Sequence, residues 1–413
     1  MQGFQDFLVE DKNTHLEHLE DEIINNGTKG ARTAINFLKS VKQMLQGGKG
    51  GSTVTVKWDG APAIFAGTDP SDGKFFVAKK SVFNKSPLLY KSSQEIDGDA
   101  RLPSSLKSKF KIALSEFSKL GIKGVLQGDL MFTNSDLETD RIDGETYTTF
   151  QPNTIVYAIP KGTVLEKRIR QAKIGVVWHT TYSGRNLESM KASFGANINS
   201  LRKSNSIWMD DASYRDASGI ATFTKTETTA ITAKLSEVGK QFQKINSSEL
   251  TKFLNIQNSF TGKYVGASIK TFNNSKVRVG AEIKNPAQHA KEYLKWVEEK
   301  FDKEKDKVKT DATKQKIETK KVESIRELNK LTGLLTNVII FQNLLVSAKM
   351  DIVRKLNKVK QLTNTFVRTS NGFKVTNAEG YVAIDRVSGN AVKLVDRMEF
   401  SFNNFTAIKA WDR

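Results

Sequence analysis

"TVTVKWDGAPAIFAG", residues 53–67, decides how this chain is read. Its opening alternates: Val54, Val56 and Trp58 fall on one face of an extended segment and Thr55, Lys57 and Asp59 on the other, the period-two pattern of a half-buried strand. Lys57 therefore leaves the apolar side at the strand's end. Asp59 and Gly60 follow at once, and a glycine there lets backbone approach a ligand closely. The plain alternative is a strand-end lysine beside a turn. Next come the turn-rich "GTDPSDGK" and the apolar "FFVAKKSVF", so residues 53–83 predict a β-hairpin with a long tip.

Working outward, residues 13–46 predict two helices, with Thr14 as N-cap and Glu17 three positions later in a capping-box pattern. His15 and His18 lie one turn apart beside Glu17 and Asp21. That spacing matches no metal motif, and a helical turn with acidic residues near its positive end accounts for it. "KGVLQGDLMF" (123–132) is an apolar strand carrying Asp129, preceded by a helical pattern at 105–121. "TIVYAIP" and "KIGVVWHTTYSG" supply further strands, the latter with Trp178 and a lone His179 that reads as structural. Beyond residue 190 the texture turns Ser/Asn/Lys-rich, then helical from about 286 to 361, where charges of both signs alternate as on a solvated helical hairpin. "FVRTSNGFKV", "AEGYVAID" and "NAVKLVDRMEF" return to strands.

The 413 residues suffice for two to three compact units. With 64 Lys and Arg against 45 Asp and Glu, the net charge of +19 favours a polyanionic partner, although a basic surface alone defines no site. Cysteine is absent, which excludes disulfides, thiolate metal sites and cysteine nucleophiles. The amino end lacks a signal-peptide pattern, and the most apolar later stretch is interrupted by Thr, Asn and Gln, so no membrane span is expected.

"KWDG" fits K-x-D-G, the pattern around the nucleophilic lysine of covalent nucleotidyltransferases. The chain resembles bacteriophage ATP-dependent RNA ligases at five ordered segments: "KWDGAPAIF", "FFVAKKS", "LQGDLMF", "AEGYVAI" and "AVKLVDR", the last two placing Lys393 14 residues after Glu379. The resemblance covers about 53–185 and 366–400. It implies an α+β fold, a nucleotidyltransferase (ATP-grasp-like ligase) core of antiparallel sheets with an N-terminal helical cap (1–50) and a mostly helical insertion (191–365) between core segments 51–190 and 366–413.

It also implies roles. Lys57 would be the nucleophile that takes AMP from ATP, supported by Asp59 and Gly60, with Lys80 contacting phosphate or sugar. Asp129 and Glu379 would act at sugar and metal and hold Mg2+ or Mn2+, Lys393 would stabilise the α-phosphate, and Trp178 would stack on the base. AMP would pass to a 5′-phosphate of nucleic acid, RNA rather than DNA, in a bacterial cytoplasm if the chain is phage-encoded. The chemistry requires a neutral lysine, so cations, a metal or apolar walls are expected to depress the Lys57 pKa. The departures are Ala61 and Pro62 after the motif, Asp129 for a more usual Glu, and Val395 where a second lysine is expected, with Arg397 as a substitute cation. The alternatives are a catalytically degenerate nucleic-acid-binding or structural protein, and a nucleotidyltransferase with another nucleotide or acceptor.

Overall fold

The computed structural model describes residues 17–46, 52–212, 222–259, 267–358, 363–369, 372–377, 379–385 and 391–407; the expected Thr14 cap and His15 lie outside them. The chain is mixed α+β, and its strands form three sheets. The first takes β1 (Ser52–Lys57) together with two late strands, β13 (Gly380–Asp385) and β14 (Ala391–Leu394), in the order β1-β13-β14.

The second sheet contains β2 (Ala63–Thr68), β3 (Phe75–Ala78), β4 (Val125–Thr133), β8 (Ile174–Ser183), β9 (Lys191–Phe194) and β10 (Ile207–Asp210), in the order β10-β8-β4-β2-β3 with β9 on β8. The third joins β5 (Glu138–Ile142), β6 (Glu145–Phe150) and β7 (Ile155–Pro160) to β11 (Asn364–Thr369) and β12 (Gly372–Val375). Every named pair is antiparallel except β10 with β8.

The hairpin expected over 53–83 is divided. β2 and β3 form one through the turn at 69–74, but β1 pairs with β13. Burial explains the split: Val54 belongs to the helical core, whereas Ile64 and Ala66 pack under α3 (Ser104–Phe117), so the "WDGAP" corner carries the chain from one layer to another.

The helical body comprises α1 (Glu22–Leu45), α5 (Lys225–Gln243), α6 (Ser247–Asn258), α7 (Ile269–Arg278), α8 (Pro286–Asp306), α9 (Asp311–Lys330) and α10 (Thr332–Leu356), the short α2 (Ser93–Gly98) and α4 (Val164–Gln171) belonging to the β region. One apolar core joins α1 to α5, α6, α8 and α10 and reaches Tyr381, Ala383, Val392 and Leu394 of the first sheet. Of the expected N-terminal helical unit, α1 packs into the same core as the helices of the insertion. α1 breaks at Asn26–Gly27, where Gly27 takes φ 59°. α10 is long and apolar enough to cross a bilayer by length and composition, and half of its most apolar window is buried against the other helices.

"NAVKLVDRMEF" is a strand only as far as Leu394. Asp396 accepts hydrogen bonds from the amides of Met398 (3.1 Å) and Glu399 (3.2 Å), capping α11 (Arg397–Thr406) and ending extended structure.

Candidate active site

β1 delivers Lys57 opposite Gly380, and Val382 of the same strand pairs with Lys393 on β14. Two lysines more than three hundred residues apart thus meet through one three-stranded sheet. Gly380 sits at φ 146°, and a Cβ there would come within 2.6 Å of the Val395 side chain, so this E-G step needs glycine where β13 leaves its turn. The second sheet forms the facing wall. Between them lies a cavity of about 260 Å³ lined by Lys57, Lys80, Asp129, His179 and Lys393, with Val177, Tyr182 and Phe194 as apolar wall.

Glu379 is 7 % exposed and pairs directly with the Lys57 ammonium, but it borders a smaller neighbouring cavity under α11 instead of the cleft itself. The Phe400 ring of α11 lies 5.9 Å from Lys57 Nζ, a cation–π contact on the same side. Lys57 is thus held between the cleft and a buried carboxylate.

Asp59 has a different place from the one its motif implies. Buried at 3 % exposure, it accepts hydrogen bonds from Asn153 Nδ2 (2.7 Å) and from the amides of Thr154 and Ile155 (2.8 Å each), while its own amide donates to the Tyr157 hydroxyl (2.7 Å). These bonds anchor the corner after Lys57 to the start of β7. Gly60 is needed for protein packing: a Cβ would fall 2.4 Å from Asp129 Cβ. It sets the corner against β4 and does not line the cleft.

Trp178 lies away from the cleft. Ile174, Val176 and Trp178 share the β8 face that packs on α3, with the Trp178 ring 5.1 Å from Phe117 and fully buried, so it is not placed to stack on a base in the cleft. His179, read from sequence as structural, faces the cleft. Gln127 pairs with Thr180 and Gly128 with Trp178, which leaves His179 as the extra residue of a β-bulge. Its Nε2 lies 3.8 Å from Asp129 Oδ2 and its Nδ1 is 2.9 Å from Thr180 Oγ1.

Expected depression of the Lys57 pKa is reversed. Burial works to lower it, but Glu379, then Asp129 and Asp59, outweigh burial and hold Lys57 more firmly protonated. Burial pushes Glu379 up to about 7, with Lys57 opposing and the neighbouring aspartates reinforcing. Lys393 behaves as the expected lysine should: burial, then the Lys57 charge, lowers it.

Behind Lys393 the N-terminal segment forms a buried ionic knot. The Lys393 amide donates to the Glu17 carbonyl (3.0 Å), Lys349 Nζ pairs with Glu20 (2.8 Å), and Arg397 with Asp21 (3.2 Å) and Glu20 (3.6 Å). Arg397 is committed to this knot, and Val395 is buried in the core, so neither supplies the second cation expected near the α-phosphate.

Among the described residues no three His, Asp or Glu converge as a metal cage. The donors fit a hard divalent ion in part. Asp129 faces the cleft, whereas Glu379 is turned to Lys57 and becomes available only when that ammonium leaves it; an ion sharing ligands with phosphate needs just one or two carboxylates.

Fold and site define an α+β protein with a lysine-lined cleft between two sheets. The chain belongs to DUF6267, a family of unknown function, which it matches over residues 13–409. No curated protein and no solved structure matches it.

Proposed function

We propose that the chain is a nucleotidyltransferase of the polynucleotide-ligase type, with an RNA-ligase-like core, that forms a lysyl-AMP on Lys57 and passes AMP to a nucleic-acid 5′-phosphate. One observation carries the reading: Lys57 and Lys393, from the first and last motif segments, line one cleft with Lys80 and Asp129 while Glu379 contacts the nucleophile. Lys57 Nζ attacks the α-phosphorus of ATP, forming the P–N bond as the α–β anhydride breaks and pyrophosphate leaves. The proton on Lys57 passes to Glu379, its direct partner, whose raised affinity for protons suits that role. Lys393, two strands from Lys57 in the first sheet, and Lys80 face the incoming phosphates.

An oxygen of a 5′-phosphate then attacks the phosphoramide, Lys57 leaves with a proton, and a 3′-hydroxyl displaces AMP to seal the strand. Magnesium or manganese, held by Asp129, would neutralise phosphate charge, and Glu379 would join it only after passing on the proton it takes from Lys57. A second reading, a nucleic-acid-binding protein without chemistry, draws support from Lys57 being held protonated and from the missing second cation at Val395.

Incubation with α-labelled ATP and magnesium followed by denaturing electrophoresis separates the two. The expected result is label on the wild-type chain and none on Lys57→Ala. An unlabelled wild-type chain, tested with each nucleoside triphosphate, would reject the enzyme reading.

A further inference from the structure

The net charge does not lie on the α8–α9 hairpin. Together α8 and α9 carry 11 Lys and Arg against 10 Asp and Glu, and many are paired across the hairpin, as Lys305 with Glu318 (2.7 Å) and Lys321 with Asp302 (2.8 Å). One lip of the cleft is different. Segments 79–85 and 183–194 carry five cations, Lys79, Lys80, Lys85, Arg185 and Lys191, against one carboxylate, Glu188.

These two segments form one surface. Val82 and Phe83 pack with Leu187 and Met190, and the Phe83 and Tyr182 rings lie 4.5 Å apart. The surface continues the cleft: Tyr182 and Phe194 wall the cavity, and Lys80 lines it while remaining exposed, which marks its mouth. Lys85, Arg185 and Lys191 are exposed and Lys79 half-buried, and among the described residues none of these four makes an ion pair. β9 is an edge strand whose Lys191, Ala192 and Ser193 are all exposed, so small side chains leave a flat shelf beside the cations.

We propose that this lip binds the phosphodiester backbone of a single-stranded RNA acceptor and leads its 5′ end into the cleft. The proposal deepens the function proposed above by naming where the acceptor lies. A row of uncompensated cations beside a partly exposed aromatic, Phe194, is the combination that tracks a single strand: charge holds phosphates and the ring offers a base a stacking face. An acidic protein would meet the same cations but has no use for the continuity with a phosphate-sized cleft.

The test uses the full chain carrying Lys79→Gln, Lys85→Gln, Arg185→Gln and Lys191→Gln together, none of them in the cleft. Binding of a short 5′-phosphorylated single-stranded RNA is measured by fluorescence anisotropy across a salt series without ATP. Removing four phosphate contacts should shrink the slope of log K against log salt by about 3. Self-labelling by ATP should be unchanged, which also shows that the variant is folded. As control, Lys303→Gln, Lys307→Gln, Lys314→Gln and Lys320→Gln on and beside α8 and α9 should leave the slope unaltered.

An unaltered slope in the lip variant, or an equal loss in the control, overturns the proposal. So does competition by polyglutamate as strong as that by RNA, which would assign the lip to acidic protein. RNA binding needs no chemistry, so wild-type chain that binds through the lip but takes no label would reject the ligase reading and keep this one.

Discussion

Two clusters of opposite charges sit within a few residues of one another, and they are built to opposite ends. In the knot, Glu20, Asp21, Lys349 and Arg397 face each other through short contacts, with Glu20 at 3 % and Lys349 at 0 % exposure. Burial raises the proton affinity of Glu20, but Lys349 reverses this and holds its pKa down to about 2. Beside the cleft the carboxylate paired with Lys57 moves the other way, to about 7 for Glu379, and Lys393 is lowered by burial and by Lys57. The knot pairs its charges with one another, although Glu20 Oε1 and Asp21 Oδ2 stay without a hydrogen-bond donor. The cleft leaves cations that a triphosphate would complete, which is how a binding site differs from a structural ion cluster of the same composition.

Substitutions can break that contrast. Lys349→Met should have the largest effect on stability, about 3–5 kcal/mol by urea unfolding, since it leaves Glu20 buried without its ammonium. Restoring much of the loss with Glu20→Gln in the same chain would identify the orphaned charge as the cause. Lys393→Met should do the reverse: little change in unfolding, because its amine is already disfavoured by burial, but about 10²- to 10³-fold slower labelling by ATP.

pH sharpens the comparison, because the two clusters have opposite signs. Glu20 titrates near 2 when folded against 4.5 as a free side chain, so its stabilisation is complete above 4.5 and is lost as pH falls toward 2. His18 acts in the same sense: burial, with nearby cations, lowers it to about 3, so the unfolded chain takes up a proton first as pH drops below 6.5. Asp21, raised mainly by burial, opposes them. Glu379 binds its proton more readily folded than unfolded, so it stabilises below 4.5 and loses that contribution as pH rises through about 7. Comparing unfolding of wild type with Glu20→Gln and with Glu379→Gln in EDTA, from pH 3 upward, should give difference curves of opposite slope, each at most about 1.4 kcal/mol per pH unit. The smallest effect on chemistry is expected from Trp178→Phe, which disturbs the contact with Phe117 but should leave ATP labelling unchanged.

Legibility in the sequence followed the range of the interaction. The strand ending at Lys57, the strand bearing Asp129, the strand that starts just after Glu379 and the strand bearing Lys393 are local patterns, and they hold. Partner choice is not local: nothing in "TVTVK" tells that β1 pairs with β13 instead of β2. The bulge that turns His179 into the cleft depends on β4 and β8 registering against each other, and it also decides which face Trp178 takes. α5, α6 and α7 were hidden in a Ser/Asn/Lys-rich texture, although Thr224 with Glu227 is a capping box that marks the first of them. Asp396, followed by Glu399, likewise signals the end of the last strand. Arg397 had no such cue, since its partners Glu20 and Asp21 lie at the other end of the chain.

The pairing of β1 with β13 sets an order of events during synthesis. Lys57 leaves the ribosome early, yet its carboxylate partner and Lys393 emerge only after about 320 further residues, including the whole helical body. Until then the lysine is without its counter-ion, and the cleft is completed last, together with the four residues that β13 and β14 lend to the helical core.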